Sequence, residues 1–337
     1  MSSALLPPSA LPLPLELFLQ IIEHIVATPH GAVPIAFPQS DIRTRTLYSL
    51  LFVCKPISKA VSSYLYAYCL HLNTPSRVEK IRAQAGPPDS GWLSRLIYGT
   101  PQSFEPPPIT SLYLCHSIPE WYQYENLRVS TGLLKLVAPT LKRLALFLPV
   151  ANISQAVRYE LTGGALARLT VLEELVSSHS AFFRDPGPDV TLPSLRRLAL
   201  TGPLHEQELK FLSKCTHLET LVYRRNWFEA WSDPKEIDDV FNAYTGPALR
   251  VMLVAEAMHH GPPKGGRTFH EDDPIKFYEV DVPTSYYGDE NAEHPLCYEF
   301  IREGGVRGTI WQEEARKLED FATAKKRLER IRAILNQ

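Results

Sequence analysis

The chain has 337 residues, of which 45% are hydrophobic and 21% charged, with a formal net charge of −2. That length accommodates two packed units with a substantial core, and the composition is that of an ordinary globular protein. The near-zero charge gives no electrostatic case for nucleic acid or an anionic membrane surface as partner. The 29 prolines, against only 17 glycines, fall mostly between periodic segments and predict many ordered turns.

Five cysteines, Cys54, Cys69, Cys115, Cys215 and Cys297, are scattered singly. No pair has the spacing of a zinc or redox site, and the odd count argues against a disulfide framework. No stretch approaches the roughly 20 apolar residues of a membrane span, and the N-terminus lacks the basic start of a secretory signal. These features point to a reducing compartment, cytosol or nucleus.

Residues 1–12 read as a flexible lead-in. From Leu13 the chain runs Leu13-Pro14-Leu15-Glu16-Leu17-Phe18, and Leu15, Phe18, Ile21, Ile22 and Ile25 recur at helical spacing. Pro14 suits a first helical turn, and Glu16 sits near the positive end of the helix dipole. An insert from Ala27 to Thr46, with Pro29, Gly31, Pro34 and Pro38, reads as loop. Leu47, Leu50, Leu51 and Cys54 form a second stripe. Pro56 ends it and opens a third helix lined by Ala60, Val61, Tyr64, Leu65 and Tyr68. Three short amphipathic helices need a further surface to bury them.

The series Leu-Pro-x-Glu-Leu-(x)3-Ile-Ile, then Leu-x-x-Leu-Leu-x-Val-Cys-Lys, then Leu-Tyr resembles an F-box. Ile57 stands where that family usually has an aromatic, and the insert lengthens the first connection. The resemblance implies docking on a Skp-family adaptor within a cullin ubiquitin ligase of the SCF type. It implies adaptor contacts from Leu13, Pro14, Leu15, Glu16, Phe18, Ile21, Ile22, Ile25, Leu50, Val53, Cys54 and Lys55.

Residues 68–72 predict a short strand, and Thr74-Pro75-Ser76 opens a helix through Arg77, Val78 and Ile81. A repeat of the form Leu-x-x-Leu-x-Leu then begins at Ile109, Leu141, Leu172, Leu195, Leu218 and Leu249, with steps of 32, 31, 23, 23 and 31 residues. Helix-like segments at 164–169 and 206–215 separate the strands. One strand and one helix per ~20–30 residues is the leucine-rich-repeat pattern, in which stacked units share one core. This resembles the degenerate repeats that follow many F-boxes, fungal ones especially. Aligned on the middle leucine, the following row is Tyr113, Ala145, Val176, Ala199, Val222 and Leu253. The preceding row is Ser111, Arg143, Glu174, Arg197, Thr220 and Val251. An apolar row on the open side of a parallel sheet is either covered by the C-terminal segment, the reading favoured here, or a partner surface.

The repeat is lost in the last third. Residues 259–267 read as loop, 275–282 as a strand, 285–294 as exposed, and Glu313–Leu335 as one amphipathic helix closing the array. His259, His260, His270, Glu271, Asp272 and Asp273 gather metal-ligand residue types, but their spacing fits no metal motif and reads as polar loop. Pro263-Lys264-Gly265-Gly266-Arg267 lacks P-loop spacing, and no catalytic elbow or dinucleotide fingerprint occurs.

The expected fold is α/β. An F-box-like helical unit (11–72) precedes an irregular leucine-rich-repeat solenoid (73–258), and a segment with loop and capping helix follows (259–337). The expected function is substrate recognition for a ubiquitin ligase, with no enzymatic activity and no cofactor or metal of its own. The alternative is a protein-binding repeat scaffold without ligase role. Candidate substrate contacts are Tyr113, Arg143, Arg197, Arg224, Trp227, Phe228 and Trp231, the arginines suiting a phosphorylated partner.

Overall fold

The computed structural model describes residues 14–28, 31–85, 107–115, 123–148, 160–161, 164–178, 190–225, 235–256, 260, 269–282, 296–319 and 321–335. The expected residues Leu13, Trp227, Phe228 and Trp231 lie outside them, as does 283–295. The fold is α/β, with a nine-stranded sheet and nine α-helices among the described residues.

Three helices open the chain: α1 (Leu15–Val26), α2 (Ile42–Leu50) and α3 (Lys55–Tyr68). Their core is Ile22, Val26, Phe37, Leu47, Ile57, Val61, Leu65 and Cys69. The second helix begins inside the expected loop and ends before Cys54. Asp41 accepts the Arg43 backbone N–H at 2.8 Å and so caps it, while Cys54 is extended and precedes the next helix, whose second residue is Pro56. Ile57 is fully buried in this core.

The sheet adds strands in chain order: β1 (His71–Leu72), β2 (Ser111–Cys115), β3 (Arg143–Phe147), β4 (Glu174–Ser177), β5 (Arg197–Leu200), β6 (Thr220–Arg224), β7 (Leu249–Ala255), β8 (Ile275–Asp281) and β9 (Arg316–Lys317). All neighbours are parallel except β8 and β9. Leu112, Leu144, Leu175, Leu198, Leu221, Val251 and Phe277 lie side by side in one row. Together with Leu114, Leu146 and Leu200 they face α4 (Pro75–Ala85), α5 (Gln123–Val137), α6 (Glu206–Leu212) and α7 (Lys235–Ala243) across the larger core. The residues at 166–168 form a single 3-10 turn.

Replacing Leu198, which is essentially inaccessible, with alanine removes part of this shared row and leaves a cavity. The expected loss is about 2–5 kcal/mol, read from urea denaturation midpoints.

One expected register is corrected. Leu221 pairs with Val251 and Val222 with Met252, so the second-face row ends in Met252 and not Leu253. The row before it accordingly ends in Arg250 and not Val251. A slip of one residue exchanges faces, and the apolar run Val251-Met252-Leu253-Val254, buried on both sides, carries no alternation to reveal it.

The second face is covered, as favoured from its apolar row. Tyr113, Ala145, Val176, Ala199, Val222 and Met252 pack against α8 (Leu296–Arg307), the turn at 310–312, and Ile35 and Ala36 of the insert. Gly305 of α8 lies so close to the sheet that a Cβ there would stand 2.7 Å from Val176. The C-terminal helix is shorter than expected. Residues 316–317 pair antiparallel with β8, and α9 covers only Phe321–Leu335. The free edge of β8 and its carboxylates hold Arg316 extended, against the helical periodicity of the segment. No i,i+4 pair from Glu313 to Lys317 can form in that conformation.

Candidate functional site

The described residues leave nine large hydrophobic side chains exposed, and eight of them belong to the N-terminal unit: Leu15, Leu17, Ile21, Val33, Ile42, Tyr48, Phe52 and Val53. Leu17 and Ile21 follow one line along α1, one helical turn apart, while Ile22 and Val26 turn inward. Phe52, 89% exposed, and Val53 stand in the turn between α2 and α3.

The expected docking residues therefore divide. Pro14, Leu15, Glu16, Ile21, Val53 and Lys55 are exposed, Phe18, Ile25, Leu50 and Cys54 are half-buried, and Ile22 is core. Sequence reasoning missed Leu17 and Phe52. Both fall off the apolar stripes read from the sequence, and a large apolar residue off the stripe was the signal.

The insert joins this unit to the sheet. The Ile35 N–H donates to the Val306 carbonyl at 2.8 Å, and the Phe37 N–H to that of Tyr68 at 2.6 Å. The Ser111 hydroxyl donates to the Ile35 carbonyl at 2.6 Å, and Arg143 to that of Pro34 at 2.8 Å. Gly308, with φ +74°, brings its Cα close under the Val33 carbonyl, where a Cβ would meet that oxygen at 2.4 Å.

These contacts also place the expected substrate residues. Arg143 lies over the Tyr68 ring at 5.5 Å, and Arg197 pairs with buried Glu174 at 3.2 Å and stands over Trp311. Glu174 accepts the Trp311 indole N–H at 2.9 Å. Burial pushes its carboxyl up, while Arg197, the indole and Arg143 pull it down. Both arginines are engaged within the chain, and Arg224 is the last residue of β6. Tyr113 stacks on His71 with ring centres 4.0 Å apart.

Burial pushes the His71 imidazole down from 6.5 to about 4. A histidine kept neutral in the fold adds stability above 6.5 that disappears as pH falls toward 4, because only the unfolded chain protonates in that window. The variant His71→Gln is expected to show a flatter decline of Tm between pH 6.5 and 4. His260, held down to about 3 by burial and by Arg225, retains the remaining slope.

His260, expected in a polar loop, is instead fully buried. One ring nitrogen lies 3.1 Å from the Val280 carbonyl, and the imidazole adjoins Glu279 and Asp281. Those carboxylates belong to an internal ionic cluster with Arg225, Arg316 and Arg327. No group of three or more metal-ligating side chains occurs among the described residues. Among them, too, no helix is long and apolar enough to cross a membrane.

A cavity of about 490 Å³ opens where the insert, the β1–β2 end of the sheet and α8 meet. Its walls include Phe37, Arg43, His71, Tyr113, Val306 and Arg307.

No protein-family model, curated protein or solved structure matches the chain.

Proposed function

We propose that the chain is the substrate-recognition subunit of an SCF-type ubiquitin ligase, with an F-box-like unit that docks on a Skp-family adaptor and a degenerate leucine-rich-repeat sheet behind it. The observation that carries this reading is the concentration of exposed apolar side chains on α1, α2 and the turn after α2. A patch of that kind on a small helical unit marks a protein interface. The residue pattern that resembles an F-box falls on the same helices. Phe52 supplies an exposed aromatic two residues before Cys54-Lys55, and in this reading it does the work that the position of Ile57 does not.

Such a receptor makes and breaks no bonds itself. It holds a substrate at a fixed distance from the ubiquitin-carrying enzyme, so its contribution is proximity. The hydrogen bonds of the insert support this role by tying the docking helices to the sheet without a free linker.

Co-expression with a Skp-family adaptor tests the proposal. A stable complex that co-purifies is expected. A folded chain that leaves the adaptor unbound would overturn the reading and leave a repeat scaffold in its place.

A further inference from the structure

We propose that the cleft between the insert, the β1–β2 end of the sheet and α8 is a peptide-binding site for an acidic residue, carboxylate or phosphorylated, followed by a large apolar one. The proposal deepens the receptor reading and rests on it for the claim that the ligand is a segment of another protein.

The volume of about 490 Å³ is that of a site for a short segment and not for a folded surface. The buried rings of Phe37 and Tyr113, with Ala36 and Val306, make an apolar floor. Three arginines stand around it, and they differ in commitment. Arg302 is held by Glu299, with its Nε 2.8 Å from that carboxylate. Arg43 lies 4.7 Å over the Phe37 ring, and no carboxylate among the described residues forms an ion pair with it. Arg307, its side chain 69% exposed, stands 3.6 Å from Glu303.

Asp41 and Glu303 also line the cleft, but Asp41 is engaged as the cap of α2. His71 is neutral at physiological pH and contributes a flat ring stacked on Tyr113, not a charge. An anionic group between Arg43 and Arg307, with the next side chain on Phe37 and Tyr113, satisfies both halves of the cleft. Arg43 lies on the same helix as Tyr48 of the docking patch, so a segment bound there is fixed relative to the adaptor.

Three blocked tetrapeptides test this, with Glu, phosphoserine or Gln placed before Phe. Each is titrated into the full chain and followed by saturation-transfer NMR. The Glu and phosphoserine peptides are expected to bind, and the Gln peptide about tenfold more weakly, as befits the loss of a charge-assisted hydrogen bond. Arg43→Ala is expected to weaken both acidic peptides about tenfold and Arg43→Lys much less. Arg307→Ala, at an exposed position, repeats the test where folding is not at stake. Equal binding of all three peptides, no binding of either acidic one, or indifference to both alanine substitutions would overturn the proposal. If the adaptor binds and the acidic peptides do not, the cleft proposal alone falls. If the peptides bind and the adaptor does not, the receptor reading falls and the cleft stands as a peptide site.

Discussion

Replacing Glu279 with alanine is expected to destabilise the chain by about 3–5 kcal/mol, the cost of leaving buried charge uncompensated. Glu279 is 1% exposed. Its carboxylate receives Arg225 at 3.0 Å, Arg316 at 2.9 Å and Arg327 at 3.0 Å. Those guanidiniums come from the residue after β6, from β9 and from α9, so one carboxylate ties four parts of the chain together. Asp281 takes two bonds from Arg316 and Glu319 takes one from Arg327, while Arg225, itself buried, forms an ion pair with Glu279. The effect belongs to buried positive charge that loses part of its compensation and not to the intrinsic strength of the pairs, since an intact buried pair often does no better than a hydrophobic replacement. Glu279→Gln therefore destabilises as well, although it keeps the shape. Removing the exposed pair Lys142–Glu173, 2.9 Å apart, is expected to cost under about 1 kcal/mol. Urea denaturation of the three variants measures the contrast, and equal losses would refute the account of the cluster.

The second large effect falls on binding and spares the fold. Phe52 is 89% exposed and Leu17 also faces solvent, so neither belongs to the core of Ile22, Leu47, Ile57, Val61 and Leu65. Exposed aromatics that anchor an interface cost about 2 kcal/mol or more when truncated, some thirtyfold in affinity. Phe52→Ala is expected to weaken adaptor binding by at least that factor, and Leu17→Ala with it to abolish co-purification. The melting temperature should stay within a degree or two of wild type. Ile22→Ala is the converse control: it should lower stability by about 2–5 kcal/mol, because its side chain is wholly inside.

Much of the sheet was legible because each strand announces itself. The leucines at 112, 144, 175, 198 and 221 fall at the same place in the repeat, and in space they form one row. The periodicity misleads where it saturates, at β7, whose residues are apolar on both faces. The same holds at 313–319, where a helical periodicity lost to the open edge of β8. The prolines and glycine of the insert point to loop, yet Ile35, Ala36 and Phe37 are buried there and make the junction. The cluster at Glu279 and the cleft beside Arg43 were not legible at all. Each is assembled from residues far apart in the chain, 225, 279, 316 and 327 in one and 43, 71, 113 and 307 in the other. Of the proposed docking surface, the sequence marked the helices. It did not separate their inward residues from their outward ones, because one stripe carries both.

The central claim is that the outward residues of the first three helices are an adaptor-docking face. Titration of the purified chain with a purified Skp-family adaptor measures it directly. The account predicts saturable one-to-one binding for wild type, at least thirtyfold weaker for Phe52→Ala, with unchanged melting. No binding by the folded wild-type chain, or equal affinity for wild type and the Leu17→Ala/Phe52→Ala double variant, would contradict it.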